Sequence, residues 1–218
     1  MVIVIFAGVS PADGVYVPCI ILLDVKGLAS ALVAFDIAIA YGIALLYPPK
    51  FNIGFTFCFF GNTYTQFYVG SNGWISFSAG QPTTFTSQPI PTTNVLVPKN
   101  CIMGPWQDWH PGLGGQIKYQ VQGVAPCRKL VVSWINVPMY SCTTNQGTFH
   151  IVIYESTNVI ENHITNKPSC VQWQNGTATQ GLHNLGGSIG ITSPGRNSTA
   201  WVATNDSYRW TPSGPVVT

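Results

Sequence analysis

The chain has 218 residues, of which only 7% are charged, and its net charge is +2. Soluble domains typically contain about 25% charged residues, so this composition is typical of an extracellular β-protein or of a surface partly covered by neighbours. The small net charge and the lack of a lysine or arginine cluster argue against nucleic-acid binding.

Residues 1–50 form an apolar N-terminal extension. About 35 of these 50 residues are apolar or aromatic. Residues 27–47 are long enough to span a bilayer, but Asp36 would lie near its centre at a cost of about 2.5–3.5 kcal/mol. Residues 35–41 alternate large and small side chains, which favours strands. Three interpretations stay open: buried or intersubunit strands, a membrane or pilin-like apolar helix, and a segment whose residue identities are poorly determined.

Residues 51–78 predict three β-strands separated by two turns. Aromatic residues alternate with polar ones before Gly61-Asn62, and a second aromatic run ends at Asn72-Gly73. Both dipeptides are turn formers, and Asn-Gly is a strong hairpin signal. Such strands cannot bury their aromatic faces alone, so the remaining chain must supply an opposing sheet.

Residues 51–218 continue as short strands, which predicts one all-β domain, an antiparallel β-sandwich of Greek-key or jelly-roll type. Residues 81–100 are rich in Pro, Thr and Ser and predict a loop or weak edge strand. The run at 129–137 is almost continuously apolar and predicts a central strand covered on both faces. The other predicted strands lie at 116–121, 148–155, 158–166, 178–183, 188–192, 200–203 and 208–211.

Six cysteines without a C-x-x-C pair favour disulfides and an oxidising compartment over a zinc ribbon. Cys142 and Cys170 flank the predicted hairpin at 148–166, and we expect them to form a disulfide near its open end. Three glycosylation sequons begin at Asn175, Asn197 and Asn205.

The loop GPWQDWHP at 104–111 is the most distinctive polar and aromatic cluster. Trp106 and Trp109 could stack on a sugar while Asp108 and His110 bind its hydroxyl groups. The structural alternative, which we favour, has Trp106 closing the open end of the sandwich and Asp108 accepting hydrogen bonds from loop backbone N–H groups.

Catalytic and metal-binding patterns are weak. Only four acids follow residue 50, namely Asp108, Glu155, Glu161 and Asp206, and no G-x-S-x-G elbow occurs. The four histidines lack ligand spacing, although His150 and His163 could meet across adjacent strands. We therefore expect no enzyme activity, no metal and no cofactor.

Several long motifs carry a family resemblance over residues 51–214. They are FTFCFFGNTYTQFYVGSNGWISF, IMGPWQDWHP, GGQIKYQVQGVAPCRKLVVSW, IVIYESTNVIENHI, PGRNSTAW and YRWTPSG. These segments resemble a β-sandwich domain of large secreted Bacteroidetes surface proteins, which usually precedes PKD-like repeats and a gliding-motility-type sorting domain. The first motif is also similar to nidogen-type extracellular domains. The resemblance implies type IX secretion and a cell-surface location, and it brings no catalytic residues.

The sequence supports two functional hypotheses. The first is a non-catalytic structural module of a bacterial surface layer or filament, in which the apolar segment 1–50 joins neighbouring copies or other surface domains by strand addition. The alternative is a glycan-binding adhesin that uses Trp106, Asp108, Trp109 and His110.

Overall fold

The computed structural model describes residues 35–36, 50–81 and 83–213. These residues form 13 β-strands and two 3-10 helices, Pro111–Leu113 and Gln174–Gly176. The strands are β1 (Phe35–Asp36), β2 (Lys50–Phe59), β3 (Asn62–Gly70), β4 (Trp74–Ser76), β5 (Cys101–Trp106), β6 (Gln116–Gln122), β7 (Lys129–Met139), β8 (Cys142–Tyr154), β9 (Ile160–Lys167), β10 (Thr177–His183), β11 (Gly190–Thr192), β12 (Thr199–Ala200) and β13 (Ala203–Trp210).

The strands build two antiparallel sheets packed face to face, which confirms the predicted β-sandwich. The six-stranded sheet has the order β1-β6-β7-β8-β9-β13. The seven-stranded sheet has the order β11-β10-β5-β4-β3-β2, and β12 also pairs with β10. The chain passes between the sheets after β1, after β5, after β9 and after β12.

The main core lies between the sheets and follows the two-residue period of the strands. In β2, alternate residues from Ile53 to Phe59 are almost fully buried, and they face Trp134, Phe149 and other residues of the opposite sheet in one apolar cluster. Side chains on successive strand positions point to opposite faces, so this alternation places one face of each strand in the core.

A second, smaller core covers the outer face of β4 and β5. It contains Trp74, Cys101, Met103 and Trp106, and the loop at 79–100 closes it with Ile90 and Val97. These two strands are therefore buried on both faces. The prediction of double coverage for residues 129–137 was wrong, because the burial of β7 alternates up to Ile135 and its outer face is only half buried.

The N-terminal extension contributes β1, which pairs antiparallel with β6. Phe35 lies opposite Tyr119, and Asp36 lies opposite Lys118. The predicted membrane or pilin-like helix at 27–47 falls outside the described residues, except for these two positions. In the part of the chain that the structure describes, no helix is long and apolar enough to cross a membrane.

Candidate functional site

Trp106 belongs to strand β5 and is completely buried. Met103 pairs with Gly181 of β10, and Trp106 pairs with Thr179. Trp106 is three residues from Met103, but Thr179 is only two residues from Gly181, so β5 contains one extra residue, a bulge. The extra residue turns Trp106 to the same face as Met103, where its Nε1 donates to the carbonyl of Thr84 at 3.2 Å. The prediction of a loop across 104–111 was wrong for its first three residues. Trp106 lies under the 79–100 loop and does not close the open end of the sandwich, so that prediction was wrong.

Trp109 closes the end of the sandwich from within the main core. Its side chain is only 2% exposed, and its Nε1 donates to the carbonyl of Pro105 at 2.8 Å. The ring packs against Phe149, with 5.4 Å between centroids. Neither Trp106 nor Trp109 therefore presents a ring face to solvent, and a sugar platform on these two rings would need the loop to open.

Asp108 and His110 flank Trp109 in the chain, and both side chains are half-buried. The Asp108 carboxylate accepts a hydrogen bond from Trp173 Nε1 at 2.8 Å, and its backbone carbonyl accepts one from the Tyr140 N–H at 3.0 Å. The expected side-chain partner was a loop backbone N–H, whereas the structure provides an indole. His110 is half-buried and lies against Tyr140, with 5.8 Å between ring centroids.

Four rings from four separate loops form what we call the aromatic strip: Phe85, Trp173, Tyr140 and His110. Successive ring centroids are 6.3, 4.7 and 5.8 Å apart. Phe85 is 48% exposed and Tyr140 is 41% exposed, while Trp173 is half-buried. The strip runs across the same end of the sandwich that Trp109 closes from inside.

Burial raises the pKa of Asp108 to about 6, although the hydrogen bond from Trp173 and the charge of His110 oppose this rise. At pH 7 the carboxylate remains mostly ionised. Several buried polar atoms near it have no partner among the described residues, namely both amide atoms of Gln107, Nδ1 of His110 and Oε1 of Gln174. This end of the sandwich thus holds polar atoms whose hydrogen bonds the described residues do not supply.

Sequence reasoning identified Asp108 and His110 but missed Phe85, Tyr140 and Trp173. The positions of two of these rings, Tyr140 and Trp173, could have been inferred from the sequence. Tyr140 precedes Cys142 by two residues, and Trp173 follows Cys170 by three, so the predicted disulfide would have brought both rings together. No comparable signal linked Phe85 to the strip, because its position depends on how the 79–100 loop folds over β4 and β5.

The disulfide between Cys142 and Cys170 is present, as predicted, with 5.8 Å between the Cα atoms. It lies directly behind the aromatic strip, since the Trp173 N–H donates to the Cys170 carbonyl at 3.2 Å. Cys58 and Cys101 are free thiols, and burial raises the pKa of Cys101. Cys58 is only partly buried, on edge strand β2.

The three sequons differ in their accessibility. Asn175 and Asn205 are exposed. Asn197 is not free, because its amide oxygen accepts from the Ile90 N–H and its amide nitrogen donates to the Ile90 carbonyl, both at 2.8 Å. Asn197 therefore ties the 79–100 loop to the segment before β12, and a sugar would replace one of the two Nδ2 hydrogens beside this contact.

The outer face of the six-stranded sheet carries a polar cluster. His150 and His163 are directly opposed on β8 and β9, as the sequence suggested. His150 Nδ1 lies 2.7 Å from Ser133 Oγ, and His163 Nε2 lies 2.9 Å from Glu161 Oε2. Burial and the charge of His163 lower the pKa of His150, which favours its neutral form.

The acids after residue 50 are held in separate contacts. Glu155 binds Arg128 through two side-chain hydrogen bonds, Glu161 accepts from Tyr154, and Asp206 pairs with Arg196. No group of three or more metal-binding side chains occurs within 50–81 and 83–213. We take the aromatic strip with the Asp108 carboxylate as the candidate site, because it combines exposed rings with a hydrogen-bonding carboxylate.

Comparison with known proteins gave one family match. The model of the nidogen-related family, described as NIDO related, matches residues 46–213. No curated protein and no solved structure matches the chain. The match spans β2 to β13 and every residue of the aromatic strip, and on that basis the chain belongs to the nidogen-related family.

Proposed function

We propose that the chain is a non-catalytic structural module of an extracellular bacterial surface layer or filament, joined to its neighbours through the apolar N-terminal segment. The observation that carries this proposal is the pairing of β1 with β6. Without β1, strand β6 would be an open edge of the six-stranded sheet, and open edges accept strands from other chains. A neighbour's extension could occupy the same position.

The family and the disulfide support an extracellular setting. Nidogen-related domains are extracellular, and the Cys142–Cys170 bond fits an oxidising compartment. The low charge of the chain also suits a surface that is partly covered in an assembly. The sequence resemblance to large Bacteroidetes surface proteins extends the proposal to type IX secretion.

Proline substitution in β1 tests the assembly route in the full-length chain. Proline has no backbone N–H, so Phe35→Pro with Asp36→Pro removes any donor that β1 offers to β6. We expect the unmodified protein to associate with rising concentration in sedimentation velocity and to form filaments or sheets in electron microscopy. The proline variant should remain monomeric.

Phe35→Ala with Asp36→Ala is the matched control, because alanine retains both N–H groups, and it should still assemble. Circular dichroism and thermal unfolding must show an intact sandwich in both variants. The proposal fails if the proline variant assembles as the control does, or if the unmodified chain stays monomeric at every concentration.

A further inference from the structure

We propose that the aromatic strip is a binding site for a neutral oligosaccharide, with sugar C–H faces against Tyr140 and Trp173 and sugar hydroxyl groups on Asp108. A sugar ring is apolar on its faces and rich in hydroxyl groups at its rim. The strip offers aromatic rings for the sugar faces and a carboxylate for the hydroxyl groups. These lie side by side, since Trp173 packs next to Tyr140 and donates a hydrogen bond to Asp108. This inference is independent of the assembly route proposed above.

The carboxylate of Asp108 has an oxygen available for a ligand. Oδ2 accepts from Trp173, whereas Oδ1 makes no hydrogen bond to a residue in the described part of the chain. The carboxylate is ionised at neutral pH, and hydrogen bonds to charged groups are the stronger ones. It can therefore accept a sugar hydroxyl without giving up its indole partner.

The strip is built to hold its shape before a ligand arrives. The disulfide fixes the loop that carries Trp173, and the backbone of Asp108 fixes Tyr140. Gln174 Nε2 also donates to Thr86 Oγ1 at 3.2 Å, which joins the Trp173 loop to the loop of Phe85. Prearranged rings lose little conformational entropy on binding, and this is a direct gain in affinity.

The surroundings favour a neutral glycan over a charged or peptide partner. The exposed residues next to the strip along the chain include the amides and hydroxyls of Gln172, Asn175, Thr83 and Thr86, together with the apolar Val171. Neither lysine nor arginine occurs at 83–86, 107–115, 140–141 or 168–176, so His110 is the one basic side chain that these segments offer to an anionic sugar or an acidic peptide. Neither flanking loop offers a free strand edge for a peptide.

The test combines a glycan array with titration of defined probes. Full-length protein is screened on an array of neutral oligosaccharides, and laminarihexaose, cellohexaose, mannohexaose and chitohexaose are titrated by calorimetry. We expect binding to at least one of these sugar classes. Tyr140→Ala should weaken it roughly tenfold or more, because Trp and Tyr dominate binding energy at such surfaces.

Asp108→Ala is the second variant and should weaken binding severalfold without removing a ring. Tyr68→Ala is the matched control, since Tyr68 is a half-buried tyrosine of β3 outside the strip. Thermal unfolding checks that all variants fold. Absence of array binding overturns the proposal, as does equal affinity in the Tyr140 and Tyr68 variants. Loss of self-association in the strip variants, without glycan binding, would make the strip a protein interface instead.

Discussion

Lys167 is completely buried, and its ammonium group contacts a backbone carbonyl and an aromatic ring rather than a carboxylate. Its Nζ donates to the Trp201 carbonyl at 2.7 Å and lies 4.7 Å from the Trp201 ring centroid. Arg196 covers the same ring, with its Cζ 4.4 Å from the centroid. Burial, and then the charge of Arg196, lowers the pKa of Lys167 from 10.5 to about 7.

This shift predicts how stability changes with pH. Between pH 7 and 10.5 the unfolded chain binds more protons at Lys167 than the folded chain, so stability from this group rises with pH across that window. Lys167→Met keeps the length of the side chain and removes the titration. We expect the free energy of unfolding of the unmodified protein to gain up to about 4 kcal/mol relative to the variant over this range.

Urea unfolding at several pH values measures the difference between the two proteins. The difference in unfolding free energy between the two proteins removes the contribution of every titrating group that they share. Lys129→Met serves as the control, since it removes an ammonium group from a lysine that is only half-buried. If the free energy of unfolding of Lys167→Met changed with pH in parallel with that of the unmodified protein, Lys167 would not be the group that titrates.

Individual residues in the candidate site were predictable only where strand alternation was regular. The sequence singled out both tryptophans of the 104–111 segment as a pair. The bulge in β5 separates them, because it turns Trp106 to the outer core while Trp109 enters the main core. A single inserted residue reverses the face of each side chain that follows, and no local pattern marked it.

At the scale of elements, Gly147 of β8 makes room for Trp109. A Cβ at Gly147 would lie 2.2 Å from Trp109 Cη2 and 2.5 Å from Cζ3. The indole cannot move aside easily, because its Nε1 is hydrogen-bonded to the Pro105 carbonyl and its ring packs against Phe149. We expect Gly147→Ala to destabilise the fold by about 1–3 kcal/mol, as overpacking of a core does.

Gly186→Ala is the control for this prediction. Gly186 is exposed, and the nearest atom to its added Cβ is Ser188 Oγ at 3.7 Å, so its unfolding midpoint in urea should barely change. Equal stability of the Gly147 and Gly186 variants would mean that Trp109 has freedom to repack.

Most strands were predictable because a half-buried sheet imposes a period of two on the sequence. Strands β2, β3, β4, β6, β7, β9, β10 and β11 fall close to their predicted positions, and β8 begins six residues before its predicted start at 148. Strand β5 was missed, because it is buried on both faces and contains Pro105, which hid both the alternation and the strand propensity. The pairing of β5 between β4 and β10 is a long-range contact that local pattern does not contain.

At the scale of the molecule, the disulfide fixes the connection by which the chain leaves the six-stranded sheet. Cys142 begins β8, and Cys170 lies in the segment that carries the chain from β9 to β10 of the other sheet. The two cysteines are 28 residues apart. In the chain-entropy model, closing a loop of this length stabilises the fold by roughly 3–4 kcal/mol.

Replacing both cysteines by alanine should therefore lower the free energy of unfolding by roughly that amount. Urea unfolding without reductant measures the loss, and Cys58→Ala is the control, because Cys58 is a free thiol whose removal breaks no cross-link. The same double variant should also bind an array-positive oligosaccharide more weakly, since the loop that positions Trp173 is released. Unchanged stability would show that the packing of the sandwich alone fixes the connection from β9 to β10. Unchanged binding would show that Asp108 and the packing of Tyr140 hold Trp173 in place without the disulfide.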